Sequence, residues 1–121
     1  MSNVTLLDIA RVCGAEFGVS LDEMRRSYRN SGHREVPAVT AGNTGMWLAK
    51  RHTPHTSAEI YAFFGMSHSN YAGECIRKIA EREWLDSAFA ERVARIEDAL
   101  DRIHEARIDR ALGIAEGRAS A

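Results

Sequence analysis

Apolar residues return along this chain at steps of three and four, without the sustained alternation of a half-buried strand and without an Asn-Gly or Asp-Gly hairpin turn. Leu6, Ile9, Ala10, Cys13 and Phe17 trace one face of a first helix that ends near Gly18. Thr5-x-x-Asp8 precedes it and Ser20-x-x-Glu23 precedes the next. In both patterns the side chains satisfy orphan amides of a first helical turn. The second helix runs from about Leu21 to Tyr28 and offers Leu21, Met24 and Tyr28 for burial. Residues 29–37, RNSGHREVP, read as a loop whose Pro37 suits the start of a helix. A third helix is predicted over about 38–52, although Thr40, Gly42, Asn43, Thr44 and Gly45 are poor helix formers. Small residues at 41, 42 and 45 would let another helix come close. GNTG is not a phosphate loop, because it lacks the Lys-Ser/Thr ending.

Pro54 breaks the pattern, and Thr56-x-x-Glu59 opens a short helix through Phe64. Gly65-Met66 then turns, a further helix begins between Ser67 and Ser69, and its periodicity continues toward Ile79. Two helices joined by a tight glycine turn, the second with a polar start, form a helix-turn-helix. Asp86 or Ser87 begins a long last helix. Its stripe of Phe89, Val93, Ile96, Leu100 and Ile103 is expected to serve the bundle's own core rather than a dimer seam. The register slips at Arg107 and resumes as Ile108, Leu112 and Ala115, and the final GRASA is expected to fray. The fold class is therefore all-α, a bundle of about six helices containing a helix-turn-helix and ending in a long helix.

Composition narrows the function. The 121 residues are 45% hydrophobic and 27% charged, as in an ordinary single globular domain. No apolar run approaches the roughly 18 residues of a membrane span, and Met1-Ser2-Asn3 lacks the basic start of a signal peptide. Cytoplasmic residence is expected, with Cys13 and Cys75 as small core residues on apolar stripes. His52-x-x-His55 is interrupted by Pro54 and has no third ligand nearby. No Ser-His-Asp set or carboxylate pair can be defended, so the expectation is a protein that is not an enzyme and holds no metal, cofactor or nucleotide. Charge is uneven. Residues 1–82 carry ten Lys/Arg against eight Asp/Glu, a net of +2, whereas residues 83–121 carry six against nine, a net of −3. Arg25, Arg26, Arg29 and Arg34 fall within ten residues that contain no acid, a basic patch at a loop.

These features together resemble the C-terminal DNA-binding domain of the bacterial replication initiator DnaA, a Trp-repressor-like helix-turn-helix fold. The similarity runs from about Val4 to Ile103 and is strongest over MWLAKRHTPHTSAEIYAFFG (46–65) and CIRKI (75–79). It divides the chain into a DNA-binding domain, 1–103, and an extension of the last helix, 104–121, that the family domain does not require. The resemblance implies a recognition helix in the major groove and a loop arginine, here Arg34, in the adjacent minor groove. The family's Arg-Asp-His-Thr-Thr-Val signature falls on Ser67, His68, Ser69, Asn70, Tyr71 and Ala72, with no residue identical.

The matched positions carry over, whereas the family's base preferences do not. Lys50, Arg51, Thr56 and Ser57 fall at or beside phosphate-contacting positions, whereas arginines of the family before the Met-x-Leu-Ala-Lys segment are Thr40 and Gly42 here. Asn70 is the side chain best suited to a bidentate pairing with adenine, and one of Ser67 and Ser69 is expected to cap its helix. An ATPase module like the initiator's is not expected within these 121 residues. The implied role is sequence-specific binding of double-stranded DNA by a nucleoid-associated transcription regulator, in one version an activator of phage-like or gene-transfer-agent genes. A protein partner is expected on the C-terminal helix. Two other roles stay open: a modulator of replication initiation, and an interaction module that has kept the fold and lost DNA.

Overall fold

A computed structural model describes residues 3–28, 37–67 and 69–120, with side chains as far as residue 113. The chain folds into α1 (Leu6–Phe17), α2 (Leu21–Ser27), α3 (Pro37–His52), α4 (Ser57–Phe64), α5 (Ser69–Leu85) and α6 (Ser87–Ser120). No strand occurs among the described residues. The architecture is the expected all-α bundle, with helix boundaries close to those read from the pattern.

All three capping boxes close in both directions. At α1 the Thr5 hydroxyl accepts from the Asp8 amide at 3.1 Å, and the Thr5 amide donates to the Asp8 carboxylate at 2.8 Å. Ser20 with Glu23 and Thr56 with Glu59 repeat the exchange at α2 and α4. Asp86 caps α6, accepting from the Phe89 amide at 3.1 Å, and it alone separates α6 from α5. Gly18 and Gly65 end α1 and α4 with φ of 71° and 82°, a left-handed conformation that a side chain disfavours.

The weakest prediction from propensity, α3, is the central helix and packs against α1, α2, α4 and α5. Its poor helix formers are there for their size. A Cβ on Gly45 would lie 2.7 Å from two ring carbons of Phe64, and one on Gly42 would strike the Tyr28 hydroxyl. The small residues thus admit α4 and the end of α2. Tyr28 donates to Asn43 Oδ1 at 2.7 Å, and the fully buried Thr44 hydroxyl donates to the Thr40 carbonyl at 2.7 Å. Burial on several sides outweighs the propensity deficit.

On α6, Phe89, Val93, Ile96 and Leu100 are each no more than 1% exposed and belong to the core, whereas Ile103, the last residue of the stripe, is only half-buried. Arg107 explains the slip in register. It takes the next inward-facing step and binds the Asp8 carboxylate through both terminal nitrogens, at 2.5 and 2.9 Å, and the Asn3 carbonyl at 2.6 Å. The hydrogen bond from Arg107 holds the Asp8 carboxyl below its usual range. The domain's own contacts therefore reach four residues past the expected boundary at Ile103. Helical backbone then continues to Ser120, where the sequence suggests fraying, across a segment rich in alanine and free of proline. At 34 residues α6 is about 51 Å long. No helix among the described residues is long and apolar enough to cross a membrane.

Candidate nucleic-acid interface

The helix-turn-helix is built by α4, the turn at Gly65–Ser67, and α5. Gly65 supplies the left-handed residue, and the Met66 amide donates to the Tyr61 carbonyl at 2.8 Å, closing the end of α4. Met66 itself is buried and anchors the turn. Arg25, read from sequence as part of a basic patch, is the clamp on this turn. Its Nε donates to the Phe63 carbonyl at 2.8 Å, its guanidinium lies 5.0 Å from the Phe63 ring centroid, and its Cβ flanks Gly65. One apparent DNA-facing cation is thus a structural cap on a helix end. Arg34, the proposed minor-groove reader, and Arg29 lie outside the described residues, as does His68.

Helix α5 buries Ala72, Cys75 and Ile79 and turns the rest of its surface outward. Ser67 in the turn and Ser69, Asn70 and Tyr71 in the first turn of α5 are all exposed. Neither Ser67 nor Ser69 donates or accepts a side-chain hydrogen bond with a described residue. The expected cap from one of these serines is therefore not found among the described residues, and Ser69 is instead the first residue of the helix. Tyr71 is 55% exposed and lies on the surface rather than in the core. Behind it, Cys75 is buried and its thiol pKa is raised by burial. Cys13, with no exposed surface, is pushed up to about 12 for the same reason. Cys13 behaves as a packed apolar group, whereas the Cys75 thiol also meets Tyr71 and Asn43 through hydrogen bonds.

The outer line of α5 runs Asn70, Glu74, Arg77, Glu81, Trp84. Arg77 is held on both sides, by Glu74 at 2.5 Å and by Glu81. Those carboxylates, three and four residues from Arg77 on the same helix, leave its charge compensated. Arg82 pairs with Asp86 at 3.7 Å, whereas Lys78 forms no ion pair with a described residue. Where α5 meets α3, Tyr71, Cys75, Lys78 and Arg82 face Thr40 and Asn43 across an open cleft of about 770 Å³.

The four positions expected from the resemblance to meet phosphates differ in freedom. Lys50 is exposed and its ammonium lies 5.1 Å from the Tyr61 ring centroid. Arg51 stacks on Trp47 at 5.6 Å and reaches Glu83 at 4.0 Å, a distance that costs little to break at the surface. Thr56 is engaged as the cap of α4, and Ser57 is the exposed first residue of that helix. Gly42 is buried under Tyr28, so a long cation could not stand at this position without moving α2. His52 and His55 engage different carboxylates, Glu97 at 2.7 Å and Glu59 at 3.4 Å.

Two large apolar side chains close the same helix unburied. Trp84 is 87% exposed and Leu85 is 80% exposed. The sequence pattern could have flagged them. After Ile79 the core-facing steps fall on Arg82 and Glu83, which leaves the Trp-Leu pair off the stripe. Comparison with protein-family models and with curated proteins finds no match for this chain.

Proposed function

We propose that this protein binds double-stranded DNA in a sequence-selective manner, reading the major groove with Ser67, His68, Ser69, Asn70 and Tyr71. The observation that carries this reading is the outward presentation of the first turn of α5 by a tight turn, locked at Gly65, Met66 and Arg25. Short hydrogen-bonding side chains stand exposed at a helix start, over a buried Ala72–Cys75–Ile79 face that fixes their direction. Asn70 offers a donor and an acceptor to adenine N7 and N6, a pairing that discriminates by about 1–3 kcal/mol. Lys50, Arg51 and Lys78 would contact phosphates, as would Thr56 and Ser57, which stand at the positive end of α4. Arg34 would supply a minor-groove contact, most favourable where A·T-rich sequence narrows that groove.

With three cations assigned to phosphates the affinity is moderate and falls with salt, with a slope of about −3 on a log–log scale. The cellular role that fits is regulation of transcription at sites unlike the initiator's own box, since the reading positions share none of its residues. The exposed Ile108 and Leu112 of α6, beyond the Arg107 clamp, would meet a protein partner. Selection from a random duplex library tests the activity. Enrichment of one sequence that weakens with salt and collapses in Asn70→Ala and Arg34→Ala is expected. Absence of enrichment at low salt, alone or with a partner, refutes it. Genome-wide occupancy at promoters supports regulation of transcription, and occupancy confined to the replication origin would assign a replication role instead.

A second reading, a protein-docking module that no longer binds DNA, is favoured by one observation. The α5 face that would enter DNA carries Glu74 and Glu81 around Arg77 and ends in the exposed Trp84 and Leu85. Loss of a captured protein in Trp84→Ala, without any duplex selection by the wild type, would decide for it.

A further inference from the structure

Most glycines in the described helices answer to a neighbour. A Cβ on Gly14 would strike the Val19 carbonyl, one on Gly42 the Tyr28 hydroxyl and one on Gly45 the Phe64 ring. Gly73 answers to no described residue. It lies in the second turn of α5 without a positive φ, and beyond the helix's own backbone no heavy atom of a described residue stands within 4 Å of the place its Cβ would take. A glycine inside an exposed helix weakens it, because the unfolded chain loses more freedom and no side chain is gained. Neither a turn, nor a left-handed backbone, nor close packing against a described residue accounts for this one.

What surrounds Gly73 on the helix surface is specific. Ser69 and Asn70 are its neighbours one turn before, and Arg77 is its exposed neighbour one turn after. The reading side chains beside it are short, Ser67, Ser69 and Asn70. Short side chains reach a base edge only if the helix backbone itself comes close, and a glycine is the residue that permits such an approach. Two independent features of α5, the gap and the short reach around it, therefore require the same thing.

We infer that Gly73 is a close-approach point for duplex DNA, where a base-pair edge meets the α5 backbone between Asn70 and Arg77. This inference rests on the DNA-binding reading proposed above and specifies its depth of docking. A methyl group at this position holds the helix away from the groove floor and leaves Ser69 and Asn70 short of their partners. Gly113 serves as the control, since it is also helical and also has nothing near its missing Cβ, but lies on α6.

The test uses the full chain and the duplex that the wild type selects from a random library, at one fixed salt concentration. Gly73→Ala is expected to raise Tm by about 3–5 °C and to weaken duplex binding at least tenfold. Gly113→Ala is expected to leave the affinity unchanged. Wild-type affinity in Gly73→Ala, beside normal selection by the wild type, overturns this inference alone. A lowered Tm accompanying the lost affinity assigns Gly73 a structural role and overturns it too. A wild type that selects no duplex removes both this inference and the reading beneath it.

Discussion

Replacing Gly45 by alanine tests the central packing of the fold and has a sign that helix propensity alone gets wrong. Alanine in a helix interior is favoured over glycine by about 1 kcal/mol. Here the added Cβ would stand 2.7 Å from both Cε1 and Cζ of Phe64. That ring has no exposed surface and meets Phe63 edge-on, with centroids 5.3 Å apart at 77°, so it has little room to swing aside. Overpacking of this kind costs about 1–3 kcal/mol, and the net effect is a destabilisation of roughly 1 kcal/mol. The same substitution at Gly73 carries the propensity gain with no clash. The difference between the two variants is then the overpacking cost itself, about 1–3 kcal/mol, because the propensity gain is common to both. Urea unfolding followed by far-UV circular dichroism measures it, provided the m-values agree. Gly45→Ala as stable as Gly73→Ala would mean that α3 and α4 do not meet at this glycine.

Arg25→Ala removes a charged donor from the Phe63 carbonyl and is expected to destabilise by about 1.5–3 kcal/mol, with Arg25→Lys recovering only part; unchanged unfolding would return Arg25 to the surface patch. Because Arg107 lowers the folded pKa of Asp8 below its unfolded value, their pairing contributes fully above about pH 4 and is lost as pH falls through the lower folded value. The stability gap between wild type and Arg107→Ala should therefore shrink on acidification, and a gap equal at pH 7 and pH 2 would exclude the carboxylate as the partner. Truncation after Arg110 keeps the Asp8–Arg107 clamp and should preserve Tm while releasing a partner bound to the extension; truncation after Ile103 should lower Tm. A captured partner retained after the Ile103 truncation would refute docking on the extension. Asn70→Ala is expected to cost about 1–3 kcal/mol of discrimination at an adenine, read as relaxed preference at one position of the selected duplex.

Much of the framework was legible because its signals are local. A capping box needs four consecutive residues, and a left-handed stop needs one glycine, so Thr5, Ser20, Thr56, Gly18 and Gly65 announced their helix ends directly. The helix-turn-helix followed from the same cues. The stripe from Phe89 to Leu100 was legible as one face, since side-chain direction repeats every three to four residues. The interface was legible only in outline. That Ser69, Asn70 and Tyr71 stand at an exposed helix start follows from the turn before them, but the sign of the charge around them does not.

Charge and exposure depend on which side chains meet across elements or across helical turns. Arg25 and Arg77 look alike in the sequence as exposed cations. The fold makes the first a clamp on the Phe63 carbonyl, 38 residues away, whereas the second is compensated by Glu74 and Glu81, helical neighbours three and four residues off that the sequence itself offers. The break at Arg107 looks like a lost heptad until Asp8, 99 residues away in sequence, is brought against it. Gly42, Gly45 and Gly73 are indistinguishable as helix-weakening residues, and only the packing separates two that admit Tyr28 and Phe64 from one that faces open space. By itself the sequence determined the helices, their ends and the turn that presents α5, because these depend on neighbours within about four residues. Tertiary structure decided which cations remain available, where the domain is fastened and which glycine is left open, because those depend on groups that only folding brings within contact distance.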